Sequence, residues 1–258
     1  MLPLHDDNPT RSTPVVTIAL ILINVLVFLY QLSIGLETSV IRFGLIPAEL
    51  LQGADNAYGG RQLGLPPGEV VQNLNPAPIT LLTSMFMHGG WMHIIGNMWF
   101  LWIFGNNVED SMGKVKYVLF YLFAGAVAAA AQIATGPGDT IPMVGASGAI
   151  GGVLGAYLVL FPGSRVIALI PLGFIWFTRA LPAWIVLGFW FVLEFIRGAT
   201  ALGGQNAGGV AYAAHVGGFV TGVVLGRLLG VVHRHEEYSR GDQGYGGYRR
   251  RYDNTDWR

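Results

Sequence analysis

Apolar runs long enough to cross a bilayer alternate with short polar breaks along this chain, and the pattern predicts helices. A membrane span needs about 20 mostly apolar residues. The first run covers residues 14–36, with no charged residue between Arg11 and Glu37. A long connection over residues 37–78 follows, rich in charge and turn formers ("GADNAYGGRQLGLPPGE"). A second span is predicted within residues 79–108, ending at Glu109 and Asp110, and a third over 115–134, stopped by "TGPGDTIP". A fourth starts at Ser147 and ends near Phe161 and Pro162. The stretch "GSRVIALIPLGFIWFTR" is interfacial or re-entrant in character, and spans five and six are predicted over residues 180–196 and 210–232. The expected fold is an all-α polytopic membrane protein with one six-helix bundle over residues 14–232. A short cytoplasmic segment precedes it (1–13), and a polar tail follows it (233–258).

Composition supports this class. Hydrophobic residues make up 52% of the chain and charged residues 12%, against about 25% charged in ordinary soluble domains. Mean hydropathy is +0.50, and the 37 glycines suit spanning helices whose backbones approach closely. A formal net charge of zero gives no reason to expect nucleic acid as a partner. The absence of cysteine excludes disulfides, thiolate catalysis and cysteine-based metal sites. The start "MLPLHDDNPTRSTP" is polar and partly acidic, unlike a cleavable signal, so the first run is expected to be a retained anchor. The Gly/Arg/Tyr-rich tail is predicted to be disordered. Lysine and arginine set the orientation. With the N-terminus inside, Arg11, Lys114, Lys116, Arg165, Arg179 and the basic end of the last helix fall inside, and only Arg42, Arg61 and Arg197 fall outside. Both termini are therefore expected in the cytoplasm.

In that orientation spans two, four and six begin in the outer leaflet. Their first turns carry "HGGWMHIIGN" (His88, His93, Asn97), "GASG" (Ser147) and "AAHVGG" (His215). Intramembrane histidine and asparagine are costly and are candidates for function. From Ser147 to Pro162 the fourth span has only 16 residues, about 24 Å of helix against a core of about 30 Å. Ser147 therefore lies below the outer surface. His215, five residues into a helix begun at Val210, lies about 8 Å in, at a similar depth. Overlapping GxxxG patterns at Gly148, Gly151, Gly152 and Gly155, and a tandem one at Gly218, Gly222 and Gly226, would let these two helices approach.

A serine hydroxyl becomes a nucleophile when a neighbouring base takes its proton, and His215 is the candidate base. His93 and Asn97, at i and i+4, share a helix face and can aim two donors at a developing oxyanion. The backbone N–H of Ser147 at a helix N-terminus adds a third. Gly145 would let substrate backbone approach, and Gly148 would leave room at the nucleophile. The outer halves of spans two, four and six hold no carboxylate, so the expectation is a Ser-His dyad. Read singly, each group has a plainer role: glycines pack helices, serine bonds its own helix, and asparagine or histidine joins neighbouring helices. "GASGA" lacks the final glycine of the G-x-S-x-G elbow, and "HGGWMH" lacks the glutamate of H-E-x-x-H. A zinc site built from the three histidines stays open as an alternative.

The segments "SMFMHGGWMHIIGNMWFLWIFGNNVED", "VGASGAIGG" and "AAHVGGFVTGVVLG", in this order, closely resemble the signatures of the rhomboid intramembrane serine proteases. The resemblance covers about residues 14–232. It implies that Ser147 is the nucleophile, His215 the base, and His93 and Asn97 the lining of the oxyanion hole. His88 would brace the first loop. It also implies a six-helix fold with a water-filled outer cavity and cofactor-free, metal-free cleavage of transmembrane protein substrates in the bilayer. With the minimal six-span layout, it points to a bacterial inner membrane. A substrate helix would approach near helices two and five, and the loop "GATALGGQNAGG" (198–209) would be a mobile cap. Two departures stand out. "NPAPITLLTSMF" lacks the Trp-Arg pair many members carry before helix two, and Gly151 stands where bacterial members often stack a tyrosine on the histidine. The alternative function is an inactive rhomboid-like protein that binds transmembrane clients. A small-solute or proton transporter is a third reading, without an inverted repeat to support it.

Overall fold

A computed structural model describes residues 1–52, 77–202 and 211–231, and the tail, most of the long connection and residues 203–210 of the expected cap lie outside the described residues. The chain opens with strand β1 (Leu2–Asp6) and the long helix α1 (Val15–Ile34), followed by short helices α2 (Leu36–Phe43) and α3 (Pro47–Gln52). Helix α4 (Thr80–Thr83), flanked by 3₁₀ turns Ala77–Ile79 and Ser84–Phe86, leads into α5 (Trp91–Met112) and α6 (Lys114–Thr135). After α7 (Ser147–Leu160) come strands β2 (Arg165–Leu172) and β3 (Ile175–Pro182), then α8 (Ala183–Leu202) and α9 (Tyr212–Leu229). Residues 198–202 of the expected cap therefore belong to α8. The protein is mostly helical and polytopic in character. Among the described residues, α1, α6 and α9 are long and apolar enough to cross a membrane, and α7 and Ala183–Ile196 are shorter apolar helices.

Helix α7 lies at the centre, with every residue from Gly148 to Tyr157 buried. A helix that is apolar all round is expected in such a place. Its glycines are matched to those of α9. A Cβ on Gly218 would run into the carbonyl of Gly148, and one on Gly222 into the carbonyl of Gly152. Only backbone fits in that seam. On α7's other flank, Cβ atoms on Gly148 and Gly152 would come within 2.7 and 2.6 Å of Ala128 and Ala124 on α6.

Two parts of the fold differ from the sequence expectation. Helix α5 starts at Trp91, inside the predicted range, because residues 77–86 form short turns and Met87–Gly90 is not helical, but it ends later than expected. It continues past Glu109 and Asp110, of which Glu109 is buried and Asp110 partly exposed, and both are held by hydrogen bonds. Glu109 accepts hydrogen bonds from the backbone N–H groups of Val16 (3.0 Å) and Thr17 (2.8 Å) and from the Thr17 hydroxyl (2.8 Å). Asp110 accepts from the backbone of Arg11 and Ser12 and from the Ser12 hydroxyl. Helix α1 has no side-chain cap of its own, so Glu109 satisfies two of its orphan N–H groups and complements its dipole, while Asp110 holds the segment that leads into it.

The second difference is a three-stranded antiparallel sheet in the order β1-β2-β3. It forms where the sequence suggested an interfacial stretch. Leu172 pairs with Ile175, leaving Gly173 and Phe174 as a two-residue turn. Gly173 has φ 59°, the left-handed conformation that tight hairpin turns demand. The continuous apolar run conceals the strands, because periodicity cannot identify a strand without polar alternation.

Strand β1 ties the N-terminus to the end of the bundle opposite Ser147. Asp6 accepts hydrogen bonds from the Tyr157 hydroxyl (2.5 Å) and from Asn107 Nδ2 (2.8 Å). Arg165 bonds Asp7, and Val231 of the α9 exit bonds the Ser111 carbonyl, so Arg11, Lys114, Arg165 and Arg227 gather at this end. Burial pushes the Asp6 carboxyl up to about 6, and the bond from Tyr157 opposes only part of that rise. The docked strand thus takes up a proton more readily than the free chain. The penalty of burying the charge is complete above pH 6 and is relieved as pH falls from 7 through 6 toward 4. Thermal melts in detergent should show the protein gaining about 2 kcal/mol over that interval. Asp6→Asn, which keeps an acceptor without a charge, should flatten the gain.

Candidate active site

The turn that begins α7 is shaped by Gly145. Its φ of 132° is a conformation side chains rarely adopt. A Cβ there would also lie 2.9 Å from both Cε1 and Nε2 of His93 and 3.4 Å from Ser147 Oγ. The glycine therefore lets the His93 ring close over the backbone beside the serine. The Gly145 N–H donates to the Ser84 carbonyl at 2.9 Å, anchoring the turn. Ser147 is the first residue of α7 and His215 the fourth of α9. With the glycine seam drawing these helices together, Ser147 Oγ and His215 Nε2 lie 2.7 Å apart.

The other ring nitrogen of His215 has a partner that the sequence reading did not name. Its Nδ1 lies 2.6 Å from Oε2 of Glu194 on α8. The outer halves of spans two, four and six indeed hold no carboxylate, but α8, in the place of the expected fifth span, does. Trp190, one turn before Glu194, tilts at 36° to the imidazole with ring centroids 6.1 Å apart, and Tyr212 meets it edge-on at 6.3 Å. These side chains occupy the surroundings of the histidine that Gly151 leaves without a stacking tyrosine. A signal was present in the sequence, since Glu194 is a lone carboxylate in the apolar run "AWIVLGFWFVLEFI", and such residues are candidates for function.

On α5, His93 Nδ1 accepts the Gly89 backbone N–H at 3.2 Å. In the neutral ring the proton must then sit on Nε2, the nitrogen that faces Gly145. Asn97, a turn further along that face, is buried, and its Nδ2 has no hydrogen-bond partner among the described residues. A buried unpaired donor is costly and calls for an explanation; a ligand oxygen supplies one. His88 lies just before α5, fully buried, with its ring edge-on to His93 at 5.1 Å. Its backbone is clasped by Gln31 of α1, whose Oε1 accepts the His88 N–H (2.8 Å) and whose Nε2 donates to the His88 carbonyl (3.1 Å). Gln31 was missed by sequence reading. As for the zinc alternative, among the described residues no three His, Asp or Glu side chains are grouped to hold a metal ion. Beside Ser147 a small, mainly apolar cleft is lined by Met85, Ala128, Met143, Val144 and Ala211.

A family model described as the Rhomboid domain matches residues 76–231. This chain belongs to the rhomboid family. Among curated proteins, this rhomboid is 34% identical over 163 residues to Rhomboid-like protein 11, chloroplastic, of Arabidopsis thaliana, covering 60% of this chain and 53% of that protein. It is 35% identical over 153 residues to Rhomboid protease GluP of Bacillus subtilis (59% and 29% of the two chains). It is 29% identical over 156 residues to Rhomboid protein 1, mitochondrial, of Saccharomyces cerevisiae (57% and 41%). The chain thus spans about half or less of the length of these relatives. Their names cover a plastid, a mitochondrion and a bacterium, so the likeness carries membrane-protein character and selects no single compartment. The rhomboid family includes serine intramembrane proteases that act on transmembrane substrates within the bilayer.

Proposed function

We propose that this rhomboid is a serine endopeptidase that cleaves transmembrane protein substrates inside the membrane, with Ser147 as nucleophile and His215 as base. The observation that carries the reading is the 2.7 Å contact between Ser147 Oγ and His215 Nε2, flanked by His93 and by the unpartnered Asn97 amide. A substrate helix must first unwind locally, because an intact helix keeps its carbonyls in the hydrogen-bond ladder. Ser147 Oγ then attacks the carbonyl carbon while its proton passes to His215 Nε2. The carbonyl oxygen becomes negative and is met by His93 Nε2–H, Asn97 Nδ2–H and the backbone N–H of Ser147. His215 returns the proton to the leaving nitrogen, the C–N bond breaks, and water releases the acyl-enzyme by the same steps in reverse. The small cleft beside Ser147 suits a small apolar substrate side chain. The reaction so written draws on no cofactor or metal.

The full topology belongs to the same reading: six spans, both termini cytoplasmic, and a site opening to the outer side, in an inner membrane of bacterial type. The basic residues gathered at the end of the bundle opposite Ser147 support the orientation, while the bacterial membrane follows from the resemblance and the six-span layout alone. A fluorophosphonate probe tests the chemistry. One equivalent should label the purified protein and none should label Ser147→Ala. Failure of the folded wild-type protein to react, together with capture of an uncleaved transmembrane client, would favour the non-catalytic reading.

A further inference from the structure

We propose that Glu194 is the positioning residue of the site, so that this chain works through a Ser147–His215–Glu194 relay in which α8 supplies the carboxylate. The inference rests on the protease reading above and deepens it. A carboxylate within an apolar helix is expensive unless partnered, and this one is 6% exposed. Its Oε2 lies 2.6 Å from His215 Nδ1, at the short edge of the range of charge-assisted N–H···O bonds. With Glu194 ionised, the bond requires the proton on Nδ1, which leaves the Nε2 lone pair free to accept from Ser147. One contact therefore sets both the tautomer and the ring's aim.

The surroundings point the same way. Trp190 and Glu194 are one turn apart on α8, so one helix face presents an indole to the imidazole plane and a carboxylate to its edge. Trp190 in turn packs against Phe219, at 6.0 Å between centroids, and Phe219 stacks on Phe191 at 4.5 Å. Helix α8 is thereby locked to α9 one turn beyond the histidine. Helix α7 cannot do this work, since a Cβ on Gly151 would lie 2.9 Å from the His215 carbonyl. In the reaction the Ser147 proton moves to Nε2 as the Oγ–C bond forms, and the ring becomes an imidazolium. The Nδ1 proton stays on Nδ1 and Glu194 stays ionised, balancing the charge. The Nε2 proton then leaves with the amine. The low dielectric around the pair makes that balance worth more than it would be in water.

Glu194→Gln separates this role from simple packing. Glutamine has nearly the same shape, and its carbonyl still accepts from Nδ1, but the charge is gone. On a reconstituted single-pass substrate, kcat should fall by about 10²–10⁴ with KM within about twofold of wild type, and with an unchanged melting temperature. Glu194→Asp, which keeps the charge on a shorter arm, should fall between Gln and wild type. A Gln variant with kcat within about threefold of wild type overturns the relay, as does a drop that appears only in KM or in the melting temperature. Should the Gln variant fail to fold, wild-type kcat in the Asp variant overturns it instead. Ser147→Ala run on the same substrate keeps the two inferences apart. Residual cleavage there sinks the protease reading, whereas Ser147-dependent cleavage that ignores Glu194 sinks only the relay.

Discussion

Ser147→Ala abolishes cleavage of a single-pass substrate in proteoliposomes, and His215→Ala does the same. The expected loss is about 10⁵–10⁶ in kcat, because nucleophile and base act as one unit across a single hydrogen bond. For the same reason the double variant should be no slower than either single one. His93→Ala and Asn97→Ala remove donors rather than the nucleophile, so each should slow cleavage by about 10²–10³ and leave it measurable. Mass spectrometry of the product fragments, with melting curves for every variant, makes the comparison. Ser147→Ala removes only a hydroxyl and should fold, whereas His215→Ala also takes away the Glu194 contact and should melt lower, which the melting curves separate from lost catalysis. A Ser147→Ala protein that still yields the same fragments rules out the assigned nucleophile.

The second large effect is expected at Gly151. Restoring the tyrosine that bacterial members of the family often carry there should not restore a stack on His215. A Cβ at this position would lie 2.9 Å from the His215 carbonyl and 3.4 Å from the Phe219 nitrogen. Both are backbone atoms of α9 and cannot swing aside as a side-chain tip could. Gly151→Tyr should therefore push α7 and α9 apart, destabilise the protein by about 3 kcal/mol or more, and separate Ser147 from His215. The readouts are a lower melting temperature and loss of fluorophosphonate labelling. A stable Tyr variant that cleaves faster than wild type would show that the seam is looser than described.

These two sites differ in how much of them could be read in advance. The start of α7 at Ser147 was legible, because "GASG" follows a turn-rich break and opens an apolar run. The seam between α7 and α9 was legible as well, since GxxxG patterns on both helices have few uses other than close approach. Glu194 was visible as a lone charge but not as a neighbour of His215. The sequence of α8 shows which residues share a helix face, yet not which way that face is turned. The β2–β3 hairpin was hidden by an unbroken apolar run. Glu109 and Asp110 looked like a solvated stop, and the role of Glu109 as a cap for α1 depends on a partner more than 90 residues away.

The sequence by itself determined what is local or periodic: the apolar helices, the small-residue faces, the serine at a helix N-terminus, and the histidine and asparagine one turn apart on α5. The tertiary structure alone decided which groups meet. It brought α8 against α9 so that Glu194 and Trp190 bound His215, closed His93 over Gly145, and tied the N-terminal strand beneath Tyr157. The physical reason is that helical periodicity sets the angle between side chains on one helix, whereas the rotation of one helix against another is set by the packing of every neighbour at once.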